Sequence, residues 1–461
     1  MNEKKLLPGA REKLPIWFSA AWSSRAVALA LNMAMAGYMS LYYTDVLGLN
    51  AAIMGIFLMI SKVSDAFTDL IIGYVVDRTH TKLGKARPYE ISITLLWLCI
   101  YLMYATPEMG TVATYAWVLV TYFLQSSVFI TILYGTESVY MVRAIKYPQN
   151  RTKVTANAGI FQLVICTAVG MIIPQIMANV GVDRHSWAMV ALCLAIPCGT
   201  IGLLRFFLIP ELPENELIAD DASVNEEKEK AQPIALKESF TALKGNKYIW
   251  LLAIVYFTYH FANGISGGAG TYYCKYNVGD LGVQTWLNAA ALFSFPLLFF
   301  VPKIMEKLGT GKTMRYGMLI MLAGPIIRQI GGTNLATLII GSLFFVAGSV
   351  PIAFMLNIYL FECMDYGEWK NGIRVEGMMG SITSFVAKVA SAVATGAMGI
   401  LLVAIGYVGT SAVQSSGTLF GLSALYNIIP AVIILIGLLI SFKYDVEKDL
   451  PQIRKDLNKE A

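Results

Sequence analysis

Lys62, Asp65 and Asp69 stand three and four residues apart inside one apolar stretch, from about Ala51 to Val76. A helix turns 100° per residue, so the three positions share one face. The stretch is long enough to cross a bilayer, where a charged side chain costs roughly 2.5–3.5 kcal/mol on insertion scales. Two carboxylates and an ammonium on one face at that depth imply a functional site, most simply a cation site. The pair can hold Na⁺ through oxygen ligands. Alternatively one carboxylate takes up a proton, because close carboxylates raise each other's pKa. The remaining reading is a permanent ion network that only ties helices together, a poor use of buried charge.

Lys388 is the expected partner. Asp65 lies 12 residues before Asp77, and Lys388 lies 12 residues after Glu376. At 1.5 Å per residue both sit roughly 18 Å from their helix ends, near the midplane. An isolated lysine there would shed its charge unless a carboxylate faced it. Arg25 and Glu137 form a second candidate, in the first and fourth apolar segments. They would make either a sugar hydroxyl or carboxylate site, with the guanidinium as a fork, or a structural salt bridge or gate. Gln162, His260 and Asn263 offer hydrogen bonds to a polar solute or between helices. His80 and His185 read as solvated loop residues. Glu362, Asp365 and Glu368 read as contacts at the end of the tenth segment. No metal signature is present beyond a Na⁺ at Asp65 and Asp69, and no resident cofactor is expected.

The elements that must position these residues are membrane helices. Of 461 residues, 56% are hydrophobic and only 14% charged, against about a quarter charged in soluble proteins. The mean hydropathy is +0.60. Apolar segments occur at roughly 15–43, 51–76, 90–106, 113–142, 154–179, 186–209, 247–274, 283–302, 315–332, 336–361, 377–406 and 418–441, each able to span with some tilt. With both termini on one side, 29 of the 35 basic residues fall on that side. Only Arg184 and Lys275 fall in connections opposite, and Arg25, Lys62, Arg328 and Lys388 lie in spans. Positive residues stay inside, so both termini are expected in the cytoplasm. The six cysteines lie in or at the ends of spans and read as small buried apolar residues. The first fourteen residues are polar, and no signal peptide is expected.

The longest polar stretch, Glu211 to Asn246, divides the segments six and six. The expected layout is all-α: a major facilitator fold with twelve transmembrane helices in two halves. Residues 1–210 form one six-helix bundle, 211–246 a cytoplasmic linker, 247–445 the second bundle and 446–461 a cytoplasmic tail. Residues 233–246 have the pattern of a surface helix. The halves echo each other. Asp77-Arg78-Thr79 and Gly84-Lys85-Ala86-Arg87-Pro88 follow the second segment, and Lys307 to Lys312 follow the eighth. The small-residue run Gly264 to Gly270 lets helices approach closely or bend.

Several segments resemble the glycoside–pentoside–hexuronide:cation symporter family. Tyr42 to Leu49 is similar to the end of that family's first helix. Asp65-Ala66-Phe67-Thr68-Asp69, with Gly73, Asp77 and the Gly84 to Pro88 turn, resembles its second-helix signature. Asp365-Tyr366-Gly367-Glu368-Trp369-Lys370-Asn371-Gly372, continuing through Arg374 and Glu376-Gly377, resembles its most specific stretch. The resemblance implies that Asp65 and Asp69 form a Na⁺, H⁺ or Li⁺ site, joined by Lys388 and by Ser384 four residues earlier. It also implies that Asp77, Arg78, Gly84, Lys85, Arg87, Gly367, Glu368, Trp369 and Lys370 form conformational motifs at the cytoplasmic face. Ser24-Arg25 stands where many relatives have Gly-Asp, Leu29 where a sugar-binding aspartate is found, and a helix-five arginine is missing around Asn157 to Gly159. The cation half of the pattern is kept and the solute half differs.

The expectation is a cation-coupled importer of a sugar, glycoside or hexuronide, working as a monomer in the plasma or bacterial inner membrane. No nucleic-acid partner is expected. A lysolipid symporter of the same fold is the alternative. A membrane sensor would carry a sizeable soluble output domain, and the largest polar connection is the linker. An enzyme would need a nucleophile–base or metal constellation, and none is in view.

Overall fold

The computed structural model describes residues 7–181, 183–213, 245–290, 296–372 and 376–457. Among them regular structure is helical, apart from an isolated bridge between Thr81 and Gly84. In chain order the helices are α1 (Ile16–Gly37), α2 (Ala51–Asp77), α3 (Ser92–Tyr104), α4 (Thr111–Phe123), α5 (Thr131–Ala144), α6 (Pro148–Val180), α7 (Arg184–Gly202) and α8 (Leu204–Leu208). Then come α9 (Lys247–Tyr272), α10 (Val283–Ala290), α11 (Leu297–Leu308), α12 (Thr310–Gly331), α13 (Leu335–Phe354), α14 (Leu356–Asn371), α15 (Glu376–Ala404), α16 (Ser416–Ser423), α17 (Ile429–Ser441) and α18 (Leu450–Asp456). Helix underlies each of the twelve expected segments. Eight helices among the described residues are long and apolar enough to cross a membrane.

Polar side chains start these helices. The Asn50 amide oxygen accepts from the N–H groups of Ala52 and Ile53 at 2.9 and 3.2 Å, opening α2. Asn246, Asn334 and Ser415 do the same for α9, α13 and α16. Each cap satisfies donors that the first helical turn leaves unpaired. Among the described residues four π turns interrupt the helices, at Tyr42–Val46, Leu124–Ile130, Tyr273–Val278 and Ala424–Ile428. The second of them joins α4 to α5 and carries buried Gln125, Ser126 and Ser127. Such turns free backbone groups and are frequent at functional sites.

The chain divides into two compact units, Met1–Leu49 with Ile60–Pro233, and Asn50–Met59 with Ile234–Ala461. In the first, Phe18, Trp22, Tyr140, Val154 and Ile209 form one core. Tyr42, Tyr104 and Trp187 form another aromatic cluster, with Tyr42 and Tyr104 hydroxyls donating to the carbonyls of Tyr104 and Met35. In the second, Tyr248, Leu252, Met314, Met318, Tyr359 and Tyr444 make the main core. The small-residue run of α9 lies against α15. A Cβ added at Gly264 would come 2.6 Å from the Ala394 Cβ, so glycine is what permits this approach. Large apolar side chains such as Phe207, Ile330 and Phe420 point outward, as lipid-facing surfaces do.

The linker and tail are partly packed. Most of 211–246 lies outside the described residues, but Leu212 is buried and its N–H donates to the Arg143 carbonyl at 2.8 Å. The surface helix expected from 233 onward also lies outside them, except at its last two residues. Within the expected tail, α18 folds back on α14: Trp369 Nε1 donates to Asp456 at 2.9 Å, and Arg454 pairs with Asp365 at 3.3 Å.

Candidate functional site

α2 carries the charged stripe. Its backbone is helical throughout Lys62, Asp65 and Asp69. Lys62 and Asp65 are half-buried and attract each other one turn apart. The π turn after α4 supplies Asp65 with a neighbour: Ser126 Oγ donates to Asp65 Oδ2 at 3.4 Å. Ser127 Oγ donates to the Ser61 carbonyl at 2.8 Å, pinning the turn to α2 one residue from Lys62. Gln125 donates to Asn32 of α1 at 3.0 Å. Gln125 thus ties the π turn to α1, while Ser126 and Ser127 both tie it to α2. The side chains of Asp69 and Asp77 lie outside the described residues. Ser384 is exposed and Lys388 half-buried, one turn apart on α15.

Arg25 and Glu137 do meet, inside a larger network. Arg25 pairs with Glu137 and, at 2.9 Å, with Glu90. Arg205 pairs with Glu137 at 2.7 Å and with Glu90 at 3.6 Å. Trp22 Nε1 donates to Glu137 at 3.2 Å, and the Arg205 guanidinium lies 3.6 Å over the Trp22 ring and 4.4 Å over Tyr140. Two guanidiniums and two carboxylates balance, with Glu90, Arg205 and Arg25 buried and Glu137 one third exposed. The fork of Arg25 is therefore engaged by carboxylates of its own unit, as the salt-bridge alternative anticipated. Arg205 counted in the sequence as a basic residue of a connection; the structure buries it. Glu90 escaped notice altogether. Its signal was a charge at the very start of an apolar segment.

The basic turns are anchored by carboxylates. Glu211 accepts the backbone N–H groups of Lys85, Ala86 and Arg87 at 2.9, 2.7 and 2.7 Å and the Arg143 side chain at 2.9 Å. Successive N–H groups make a concave anion cradle. Gly84 shapes it, with a φ of +116° and no room for a Cβ against the Glu211 carboxylate. Arg87 donates to the Phe206 carbonyl at 2.9 Å and lies over the Phe206 ring. The second unit repeats the device. Glu447 accepts the Gly311 N–H at 2.8 Å, while Arg315 donates to the Tyr444 carbonyl at 2.9 Å and lies over Phe442. The echo between the two turns is thus a shared construction, and neither Glu211 nor Glu447 was singled out from sequence. A glutamate five residues after the aromatic, at Phe206 and again at Phe442, was the available signal.

The other expected residues are scattered. The His260 ring sits edge-on to Tyr256 and Tyr259 at 4.5 and 4.9 Å, with Nε2 buried and without a hydrogen-bond partner among the described residues. Asn263 turns back to donate to the Tyr259 carbonyl at 2.9 Å. Gln162 is exposed on α6. Arg78 is exposed over the Tyr74 ring, and Lys85 is half-buried in the Glu211 cradle. Gly367 is buried in α14, Glu368 half-buried, and Lys370 lies over the Tyr366 ring. Glu362 accepts from Thr310 and Tyr444 at 2.9 and 3.0 Å. Arg374 falls outside the described residues. No group of three or more metal-ligating side chains occurs among the described residues.

Known proteins match this chain over most of its length. The chain is 28% identical over 457 residues to the isoprimeverose transporter of Lactiplantibacillus pentosus, covering 95% of this chain and 90% of that one. It is 26% identical to a putative sulfoquinovose importer of Escherichia coli K12, covering 91% and 89%. Among solved structures, the nucleoside transporter NupG superposes with a TM-score of 0.66 at 10% identity, covering 93% of this chain and 100% of that one; this likeness speaks for the fold. The family described as MFS/sugar transport protein matches residues 23–448, in keeping with the symporter resemblance of the sequence motifs. The chain belongs to that family, and is a multi-pass membrane transporter of the all-α major facilitator fold rather than an enzyme.

Proposed function

We propose that the protein is a cation-coupled importer of a sugar or glycoside, driven by Na⁺ or H⁺. The observation that carries the cation half is the contact of Ser126 with Asp65 beside Lys62, on a helix expected to lie in the membrane. Carboxylate and hydroxyl oxygens suit a hard monovalent cation, and Ser126 sets a hydroxyl oxygen 3.4 Å from the Asp65 carboxylate. Asp69, Ser384 and Lys388 join the proposal through their depth along the helices and the family pattern. Cation binding neutralises the carboxylates, and the solute site then completes. Coupling is a difference in the two ligands' affinities between states.

The relatives' names support a sugar or glycoside as solute. Gln162, His260 and Asn263 remain proposed solute contacts; Arg25 and Glu137 are better placed as supports of the bundle. The orientation with both termini cytoplasmic follows from the basic connections. Counterflow in proteoliposomes with a panel of pentosides, hexosides and uronides, with and without Na⁺, tests the reading. Uptake should rise with Na⁺ or a proton gradient, and Asp65→Asn should abolish that rise. Wild-type cation dependence in Asp65→Asn would remove the cation assignment, and silence toward every sugar would remove the solute assignment.

A further inference from the structure

The two glutamate fastenings match in backbone and differ in charge. Gly309 follows Gly84, and Glu362 follows Glu137, at the same distance of 225 residues. Glu211 stands six residues after Arg205, and Glu447 six after Ser441. Arg143 stands six after Glu137, and Glu368 six after Glu362. In the first unit Arg25 and Arg205 answer Glu137, and Arg143 answers Glu211. In the second unit Ser441 and Glu368 hold the places of Arg205 and Arg143. Glu362 stands one residue past the tenth apolar segment, is 4% exposed, and has no ion-pair partner among the described residues. Hydroxyls replace the guanidiniums. Thr310 Oγ1 and Tyr444 Oη lie 2.9 and 3.0 Å from Glu362 Oε2, and Thr310 Oγ1 also lies 3.3 Å from Glu447 Oε2.

One hydroxyl carries one proton. With Glu362 ionised, Thr310 donates to Glu362 or to Glu447 but not to both. With Glu362 protonated the chain closes: Glu362 donates to Thr310, and Thr310 donates to Glu447, which also takes the Gly311 N–H at 2.8 Å. A buried carboxyl without a cation favours this neutral form. The cations around it are engaged elsewhere. Arg315 of α12 donates to the Ser441 and Tyr444 carbonyls, and Arg454 of α18 pairs with Asp365 at 3.3 Å. From α9, Tyr248 donates to Asp445 at 2.9 Å. α14 itself adds Cys363 and Tyr359, whose buried hydroxyl has no hydrogen-bond partner among the described residues. α13 carries no titratable residue. α15 brings Lys388, 12 residues into the helix, and Glu376, whose side chain lies outside the described residues.

We infer that Glu362 is a proton-binding site through which the second unit senses the pH of the cytoplasm. At low pH it holds a proton, and the Thr310 bridge ties α14 to Glu447 in the short turn Val446–Lys448. As the pH rises the proton leaves. Two carboxylates then face each other across one hydroxyl, and the link to Glu447 opens. The fastening of the second bundle loosens in alkali, while that of the first, balanced by arginines, holds. The basic connections put this end of α14 at the cytoplasmic face. The device works whichever solute or cation crosses.

Hydrogen exchange of the full chain in detergent, at fixed Na⁺ and from about pH 6 to 9, brackets a buried carboxyl and reads the bridge. The Gly309–Thr313 amides are compared with the Lys85–Arg87 amides of the same molecule, which cancels the intrinsic pH dependence of exchange. Relative protection at Gly309–Thr313 should fall about three- to tenfold across the range, the net value of one hydrogen bond. Glu362→Gln, neutral at every pH, should keep that protection flat. Glu447→Gln removes the facing charge and should move the step to lower pH. A flat wild type overturns the site. A step that survives in Glu362→Gln assigns the titration to another group and overturns it too, as does a midpoint unmoved in Glu447→Gln. Exchange needs neither sugar nor cation gradient, so each of these failures leaves the functional reading standing for counterflow to decide.

Discussion

Replacing Glu90 by Gln should be among the most damaging single changes of comparable volume in the first unit. Glu90 is fully buried and holds Arg25 at 2.9 Å and Arg205 at 3.6 Å. At an effective dielectric near 20, each pair is worth about 5 kcal/mol before desolvation is charged against it. The glutamine keeps a neutral oxygen for Arg25 but leaves two buried guanidiniums sharing Glu137. That carboxylate is one third exposed and partly screened. Breaking a buried pair by removing one partner costs about 3–5 kcal/mol, and the surviving hydrogen bond places this case near ~3 kcal/mol. The unfolding equilibrium should then shift about a hundredfold. Titration of the purified protein in mixed micelles with dodecyl sulfate, followed by circular dichroism, reads this directly. Adding Arg205→Met returns the network to neutrality, and about half the loss should be recovered. A Glu90→Gln loss below ~1 kcal/mol, or a double variant no better than the single, would refute the idea that charge balance holds this unit together.

Three further outcomes follow from the same geometry. Ser126→Ala should raise the cation concentration for half-maximal activation about three- to tenfold, the net value of one ordinary hydrogen bond, as suits a contact of 3.4 Å; a change under twofold would detach Ser126 from the site. Glu211→Gln should speed hydrogen exchange at the Lys85–Arg87 amides about tenfold, because charge-assisted acceptance is roughly twice as strong as neutral; unchanged exchange would mean the cradle does not hold the turn. Gly264→Ala should cost about 1–3 kcal/mol in detergent stability, since α9 and α15 must part to admit the methyl; a variant as stable as the parent would show that the close approach relaxes freely.

The twelve helical segments were legible because a bilayer demands long apolar runs and sorts basic connections to one side. The α2 stripe was legible for the opposite reason: charge in such a run is conspicuous. Glu90, Arg205, Glu211 and Glu447 were not, because a charge at the end of an apolar run looks the same whether it faces water or folds inward. Arg205 shows the difference, 1% exposed under Trp22 and Tyr140 although it stands near the end of its apolar segment and was counted with the connection that follows. The pairing of Arg25 with Glu137 was foreseen, but Glu90 lies 65 residues from Arg25 and no periodicity links them. Ser126 was hidden because its π turn shifts the helical phase, so spacing counted along the sequence does not tell which face it occupies.

The paired glutamates bear on how such a transporter tolerates being taken apart. Glu211 leaves the last helix of the first half and grips the turn after its second; Glu447 does the same one half later. Each half therefore carries its own fastening, closed without help from the other. A polypeptide severed between them would yield two pieces whose hoops are intact, so co-expressed halves are expected to fold separately and reassemble. Glu211 and Glu447 close each bundle at the point where the chain leaves it.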